Sequence, residues 1–106
     1  MRFTHKRVVS YIMSGAEYVA TLRNYKYVPG SVVSLKLCPP DYKRAKRARA
    51  LVVRVIDNWT DEHLQRFLPI SGFGDAREWK SEALRLHRGR KPKYLVVLKV
   101  LRNKNY

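Results

Sequence analysis

A threonine and an arginine end a short predicted strand, Tyr18 to Arg23, and their types and spacing suggest chemistry. Alternation along a strand places Thr21 and Arg23 on one face, together with Val19. A hydroxyl beside a planar guanidinium with five donors makes a site for an anion. A purely structural interpretation stays open, because β-branched residues are common in strands and arginines are common on surfaces.

Basic residues dominate the charge of the chain, with 23 Lys and Arg against 8 Asp and Glu and a net charge of +15 at pH 7. Two stretches concentrate them: residues 42–49 carry Lys43, Arg44, Lys46, Arg47 and Arg49, and residues 88–93 carry Arg88, Arg90, Lys91 and Lys93. Such an excess is typical of a protein whose partner is a polyanion. Nucleic acid is favoured over an acidic membrane, since no segment has the bare apolar face of an interfacial helix. A solvated surface loop is the alternative for residues 42–49.

Two tyrosines flank a lysine in the polar segment that follows the predicted strand. The composition of Tyr25, Lys26 and Tyr27 is typical of a surface that stacks bases and holds phosphate. Tyrosines at this kind of position also cover the edge of a hydrophobic core, and that alternative stays open.

The cysteine and histidine content argues against a disulfide and against a metal centre. Cys38 is the single cysteine, so no internal disulfide can form. His5, His63 and His87 are scattered without the spacing of a zinc site, and we expect no metal and no cofactor. The first residues resemble neither a signal peptide nor a membrane anchor, so a reducing cytoplasmic location is the default expectation.

Hydrophobic periodicity predicts one α+β domain over residues 1–106, with five to six strands and two to three flanking helices. We expect the sheet to curl into a small barrel that the first and last strands close. The predicted strands are Met1–Thr4, Tyr18–Arg23, Ser31–Cys38, Ala50–Ile56 and Tyr94–Leu101. The predicted helices are His5–Ser14, one with Thr60 as its N-cap, and one that Asp75 caps and that runs to about His87.

This order of elements resembles the ASCH domain family of the PUA-like superfamily. The matching residues are the helix-end Gly15, Thr21-Leu22-Arg23, the Pro29-Gly30 turn, the Ser71-Gly72-Phe73 loop followed by Glu78-Trp79, and the last strand. The resemblance implies a single PUA-like β-barrel domain whose cleft takes RNA or nucleoside-type ligands. It also implies that Thr21 and Arg23 line the floor of the cleft, and that Ser71, Gly72 and Phe73 line its wall.

Some small proteins of the family are amidohydrolases of acylated cytidines or are described as ribonucleases. The amidohydrolase pattern has a lysine just after the helix-end glycine, a threonine in the strand and a glutamate in the later loop. In this sequence Glu17 or Tyr18 stands at the lysine position, so Thr21 lacks an amine to activate its hydroxyl. Glu17 is a weak candidate base, as are Asp75 and Glu78, because carboxylates amid so much positive charge are poor bases near neutrality.

The sequence therefore favours a non-catalytic RNA-binding module. We expect Arg23, Lys26 and both basic stretches to hold phosphate, while Tyr25, Tyr27 or Phe73 stacks a base. The alternatives are a hydrolase of RNA or of a modified nucleoside, and a structural subunit of a ribonucleoprotein. The expected partner is single-stranded or structured RNA, with DNA as the alternative, bound by a monomer or otherwise by a dimer.

Overall fold

The computed structural model of the protein describes residues 1–38 and 44–102. Its strands are β1 (Arg2–Phe3), β2 (Tyr18–Arg23), β3 (Val32–Leu37), β4 (Lys46–Asp57) and β5 (Tyr94–Leu101). Its helices are α1 (Lys6–Met13), α2 (Asp61–Phe67) and α3 (Ala76–Leu86), with a 3-10 turn at Leu68–Ile70. The strands form a sheet that curls into a half-barrel, which confirms the predicted α+β class and the small curled barrel.

The strand order β1-β3-β4-β5-β2 places the last strand in the interior of the sheet. β5 pairs antiparallel with both β4 and β2, whereas β1 pairs parallel with β3. The expectation that the first and last strands pair is therefore wrong. Apolar residues run through β5 and are buried on both faces, which suits an interior strand that is covered on each face. The two-residue β1 is instead an edge strand.

Each face of the sheet carries its own hydrophobic cluster. On the inner face, Val9 and Ile12 of α1 pack with Val96 and Leu98 of β5. On the outer face, α2 and α3 bury the other side of β5, where the cluster includes Trp79. Adjacent residues of β5 thus point into different clusters, as strand geometry requires.

The basic stretch before β4 is partly strand. β4 begins at Lys46 rather than at the predicted Ala50, and Arg47 pairs with Lys36 of β3. Charged residues led to the prediction of a loop, but alternation places Arg47 and Arg49 on the exposed face while Ala48 and Ala50 point to the core. The long aliphatic stem of arginine is compatible with an exposed strand position. Lys43, a predicted phosphate contact, lies outside the described residues.

The helix ends agree with the predicted caps. The Asp75 side chain accepts a hydrogen bond from the Arg77 amide at 2.7 Å, which caps α3. Thr60 caps α2 with the help of His63, whose Nδ1 accepts a hydrogen bond from the Thr60 amide at 2.9 Å. These bonds satisfy amides that the helices cannot pair internally.

Replacing Gly72 by Ala should destabilise the protein by about 1–3 kcal/mol. Gly72 has a φ of +87°, and an added Cβ would lie 3.1 Å from the backbone Cα of Val8 in α1. Gly74→Ala is the matched control, because a Cβ there meets nothing within 4 Å. Urea unfolding of both variants measures the difference. Equal unfolding free energies for the two variants would show that the loop does not depend on this close approach.

Candidate functional site

A pocket of about 270 Å³ lies between the two edge strands of the sheet. β1 and β2 do not pair, so the curled sheet stays open between them, and α1 and α3 form the remaining walls. The lining residues come from these elements and from the loop before α3: Arg2, Phe3, Thr4, His5, Val8, Ala20, Thr21, Leu22, Arg23, Ser71, Phe73, Trp79, Glu82, Ala83, Leu86 and His87.

The predicted pair Thr21 and Arg23 lies together in this pocket. Arg23 Nε donates a hydrogen bond to Thr21 Oγ1 at 3.1 Å, and Thr21 is buried. The Arg23 guanidinium carbon lies 4.5 Å from the centroid of the Phe3 ring, so the guanidinium stacks on an aromatic face from the opposite edge strand. These contacts fix the guanidinium across the opening in the sheet.

The charge of Arg23 has no carboxylate partner in the described part of the chain. Burial lowers the pKa of the Arg23 guanidinium, an effect that nearby Tyr27 partly offsets, but a guanidinium stays protonated in proteins. The bond to Thr21 uses only Nε, and the two Nη groups donate to no described residue. Burial and the charge of Arg23 also lower the pKa of the Met1 amino group. This end of the pocket is therefore positive, partly desolvated and without a counter-ion among the described residues.

The loop before α3 forms the wall that the family resemblance implies. The Ser71 hydroxyl donates to Leu68 O at 2.8 Å and accepts from the Phe73 amide at 3.0 Å. Both bonds stabilise the loop, so the partners of the buried Ser71 hydroxyl are backbone groups of the loop itself. Phe73 presents its ring to the pocket, whereas Gly72 packs on α1 and is not a lining residue.

The hydrogen bonds of His5 define its tautomer. Nδ1 accepts from the Arg7 amide at 3.2 Å and caps α1, so in the neutral ring the proton is on Nε2. Nε2 then donates to Glu82 Oε1 at 3.1 Å, and Arg85 Nε donates to Glu82 Oε2 at 2.6 Å. Arg7 also pairs with Glu78. Nδ1 of His5 thus caps α1 and Nε2 joins α1 to α3, so neither nitrogen is available as a base.

His87 enters the same pocket from the end of α3. Its Nδ1 lies 2.8 Å from Ala83 O, and because a carbonyl only accepts, Nδ1 carries the proton. In the neutral ring, Nε2 is therefore the nitrogen with a lone pair. Two of the three histidines meet here, which the sequence analysis did not foresee. The signals were the position of His5 directly before an amphipathic helix and the spacing of four residues from Trp79 to Ala83 to His87.

The carboxylates proposed as general bases lie elsewhere. Glu17 is exposed and does not line the pocket, Asp75 caps α3, and Glu78 pairs with Arg7. Glu82 is the acidic residue that lines the pocket, and the sequence analysis did not select it. Its bonds to Arg85 and His5 keep the carboxylate ionised.

The predicted aromatic segment is separate from this pocket. The Tyr25 and Tyr27 rings meet edge to face at 4.7 Å and line a second depression with Val28 and residues 31–33. Lys26 is exposed and lines neither depression. Phe73 is therefore the aromatic residue, among the three predicted, that faces Arg23 and Thr21 across one cavity.

The basic stretches also lie outside the pocket. Lys91 Nζ lies 4.2 Å from the Trp59 ring centroid and donates to Trp59 O at 3.1 Å, so it contributes to packing. The other described residues of these predicted stretches are exposed: Arg44, Lys46, Arg47, Arg49, Arg88, Arg90 and Lys93. They are available to a ligand on the surface rather than to one in the cavity.

Among residues 1–38 and 44–102, no cluster of three or more His, Cys, Asp or Glu side chains has the arrangement of a metal site. Over the same residues, no helix combines the length and apolar character needed to cross a membrane. In comparisons with known proteins, no family model, curated protein or solved structure matched the chain. The likeness to the ASCH family therefore stays a prediction.

Acidification should weaken the fold through Glu82. The hydrogen bond from Arg85, followed by the bond from His5, lowers the pKa of Glu82 below its ordinary value. A carboxyl whose pKa is lower in the folded state stabilises the protein above its unfolded pKa, and that stability is lost as pH falls through the folded pKa. Urea unfolding between about pH 5 and pH 3 should therefore be less pH-dependent in Glu82→Gln than in the parent protein.

Glu62→Gln is the control for this titration, because Glu62 is exposed on α2 and has no ion pair among the described residues. The same loss of stability in Glu82→Gln and in the parent would contradict a role for the Glu82 bonds.

Proposed function

We propose that the protein is a non-catalytic RNA-binding module of ASCH-like type, which holds one nucleotide of a single strand in the pocket between β1 and β2. The observation that carries the proposal is the Arg23 guanidinium: partly desolvated, stacked on Phe3, fixed through Nε and without a carboxylate among the described residues. An uncompensated buried charge destabilises a fold. A phosphate that accepts from the Nη groups removes this cost when the ligand binds.

Phosphate fits the donors of this site better than a halide or a carboxylate does. Arg presents parallel N–H donors that match two phosphate oxygens, and such charge-assisted bonds are about twice as strong as neutral ones. Because Thr21 Oγ1 already accepts from Arg23, its hydroxyl proton remains available to donate to a third oxygen.

The apolar walls of the pocket suit the base and sugar. Phe3, Phe73 and Trp79 line it together with aliphatic side chains, while His87 Nε2 supplies an acceptor. Its volume of about 270 Å³ is at the low end for ligand sites, which are commonly about 300–1,000 Å³, so it suits one nucleotide rather than several. A base enters such a cavity only when it is unstacked, which favours a single strand over a duplex.

Hydrolysis of RNA or of a modified nucleoside is the alternative, and the lone pair of His87 is the observation that favours it. Acid–base cleavage also needs a proton donor, but both nitrogens of His5 are bonded and Glu82 is held ionised. No lysine lines the pocket to activate Thr21. Binding without catalysis accounts for these features more simply.

Arg23→Met should weaken binding of short single-stranded RNA and of a nucleoside 5′-monophosphate by at least about tenfold, because hydrogen bonds to charged groups contribute about 1.5–3 kcal/mol. Fluorescence anisotropy measures the affinity for the RNA, and calorimetry measures the affinity for the mononucleotide. The unfolding free energy of the variant without ligand should fall by no more than about 1 kcal/mol, since removing an unpaired buried charge offsets the lost bond to Thr21.

Arg77→Met removes one exposed charge from α3 and is the matched control, with near-parental binding expected. Equal affinities for the parent and Arg23→Met would contradict the assignment of the pocket. The sizes of the RNA are checked after each titration, and cleavage that is lost in His87→Gln would favour the hydrolase instead.

A further inference from the structure

The outer face of the sheet is only partly covered. α2 and α3 pack over the part where Leu95 and Val97 of β5 lie, together with Ile56 of β4. The outer cluster contains no residue of the remaining part, which is formed by β1, β3 and the first half of β4. Its side chains include Val32, which is 52% exposed, and the exposed Ser34.

A row of three cations crosses this uncovered part from strand to strand. In the register of the sheet, Arg2 is paired with Lys36, and Lys36 is paired with Arg47. Paired residues share a face, and their neighbours Phe3 and Leu37 are buried on the other side, so all three cations are on the outer face. We call Arg2, Lys36 and Arg47 the basic row. Arg49 is paired with Ser34 and is the next residue of β4 after Arg47 on the same face.

The charges of the basic row are not balanced within the described structure. Adjacent strands are about 4.8 Å apart, so the three backbone positions lie within about 10 Å of one another. No described acidic residue occupies β1 or β3, and Asp57, the acid of β4, is at the far end of that strand. Like charges directly opposite each other in a sheet are destabilising. A chain of phosphates is the ligand that compensates such an arrangement.

The basic row begins at the pocket. Arg2 is both the first cation of the row and a lining residue of the cavity that holds Thr21 and Arg23. An RNA strand with one nucleotide in the pocket therefore has cations next to it in one direction, across β1, β3 and β4. The aliphatic Val32 and Leu51 are paired on the same face and add apolar surface beside these cations.

We infer that the uncovered outer face of β1, β3 and β4 is a second RNA-contact surface, where Lys36, Arg47 and Arg49 hold the phosphates that follow the nucleotide in the pocket. The path of the RNA away from the pocket rests on the proposed function of the pocket. The phosphate contacts rest on the charge and register of the sheet. The pocket selects a nucleotide, and the face adds affinity that grows with RNA length and falls with salt.

The test compares a triple variant, Lys36→Gln/Arg47→Gln/Arg49→Gln, with a control of equal charge, Lys6→Gln/Arg66→Gln/Arg77→Gln, whose positions are exposed outside this face. Anisotropy measures a 10-nucleotide single-stranded RNA at 50 and 200 mM salt, and calorimetry measures a nucleoside 5′-monophosphate. With three more phosphate contacts, the parent should have a slope of log affinity against log salt that is steeper by about 2. The ratio of the parent's affinity to that of the triple variant should therefore fall about 20-fold from 50 to 200 mM salt. Mononucleotide affinity should be unchanged.

Several results would overturn the inference: equal losses in the two triple variants, no loss in the face variant, or equal face-dependent binding of duplex RNA. Face-dependent binding to vesicles of phosphatidylserine without face-dependent RNA binding would assign the surface to a membrane instead. Arg49→Gln alone should change the salt slope by about a third as much as the triple variant, and it replaces the triple variant in the test if that protein fails to fold. If the mononucleotide does not bind the parent while the decamer still needs the face, the face stands and the pocket proposal fails.

Discussion

The interior position of β5 is the constraint from which the site follows. β5 pairs with β4 on one side and β2 on the other, and its apolar residues are covered by α1 on one face and by α2 and α3 on the other. The edge positions then fall to β1 and β2, which do not pair with each other. The opening between them is the pocket, so the site results from a barrel that does not close.

Within that opening, the protein keeps a positive charge that its own described side chains do not neutralise. Arg23 is held by Thr21 on one side and by the Phe3 ring on the other, which orders the guanidinium before any ligand arrives. Ordering a side chain in advance lowers the entropy cost of binding. The His5–Glu82 and Arg7–Glu78 contacts fix α1 against α3, and thereby set the width of the cavity. The unfavourable charge is stable there because packing elsewhere fixes its surroundings.

The sequence predicted the elements well, because the hydrophobic periods and caps are local signals. Thr21 and Arg23 were found as a pair since they share a strand face, and Asp75 was found because a cap is read from neighbouring residues. Strand order was not predictable in the same way, because β1 and β5 both end the chain, and the interior place of β5 depends on its pairing with β2 and β4, which are distant in sequence. Glu82 and His87 were missed because α3 alone does not reveal which of its faces meets a pocket. The start of β4 was missed because charges in a strand resemble a loop.

The most direct measurement of the central claim is the NMR signal of the Arg23 Nε–H group, assigned by its loss in Arg23→Lys. Each of the four ribonucleoside 5′-monophosphates is titrated into the protein, and the corresponding nucleosides serve as controls without phosphate. A monophosphate should shift the Arg23 signal together with the indole N–H of Trp79, and the nucleoside should bind more weakly and shift Arg23 less. A nucleotide that binds while the Arg23 signal stays unchanged would contradict the role of Arg23 as the phosphate ligand.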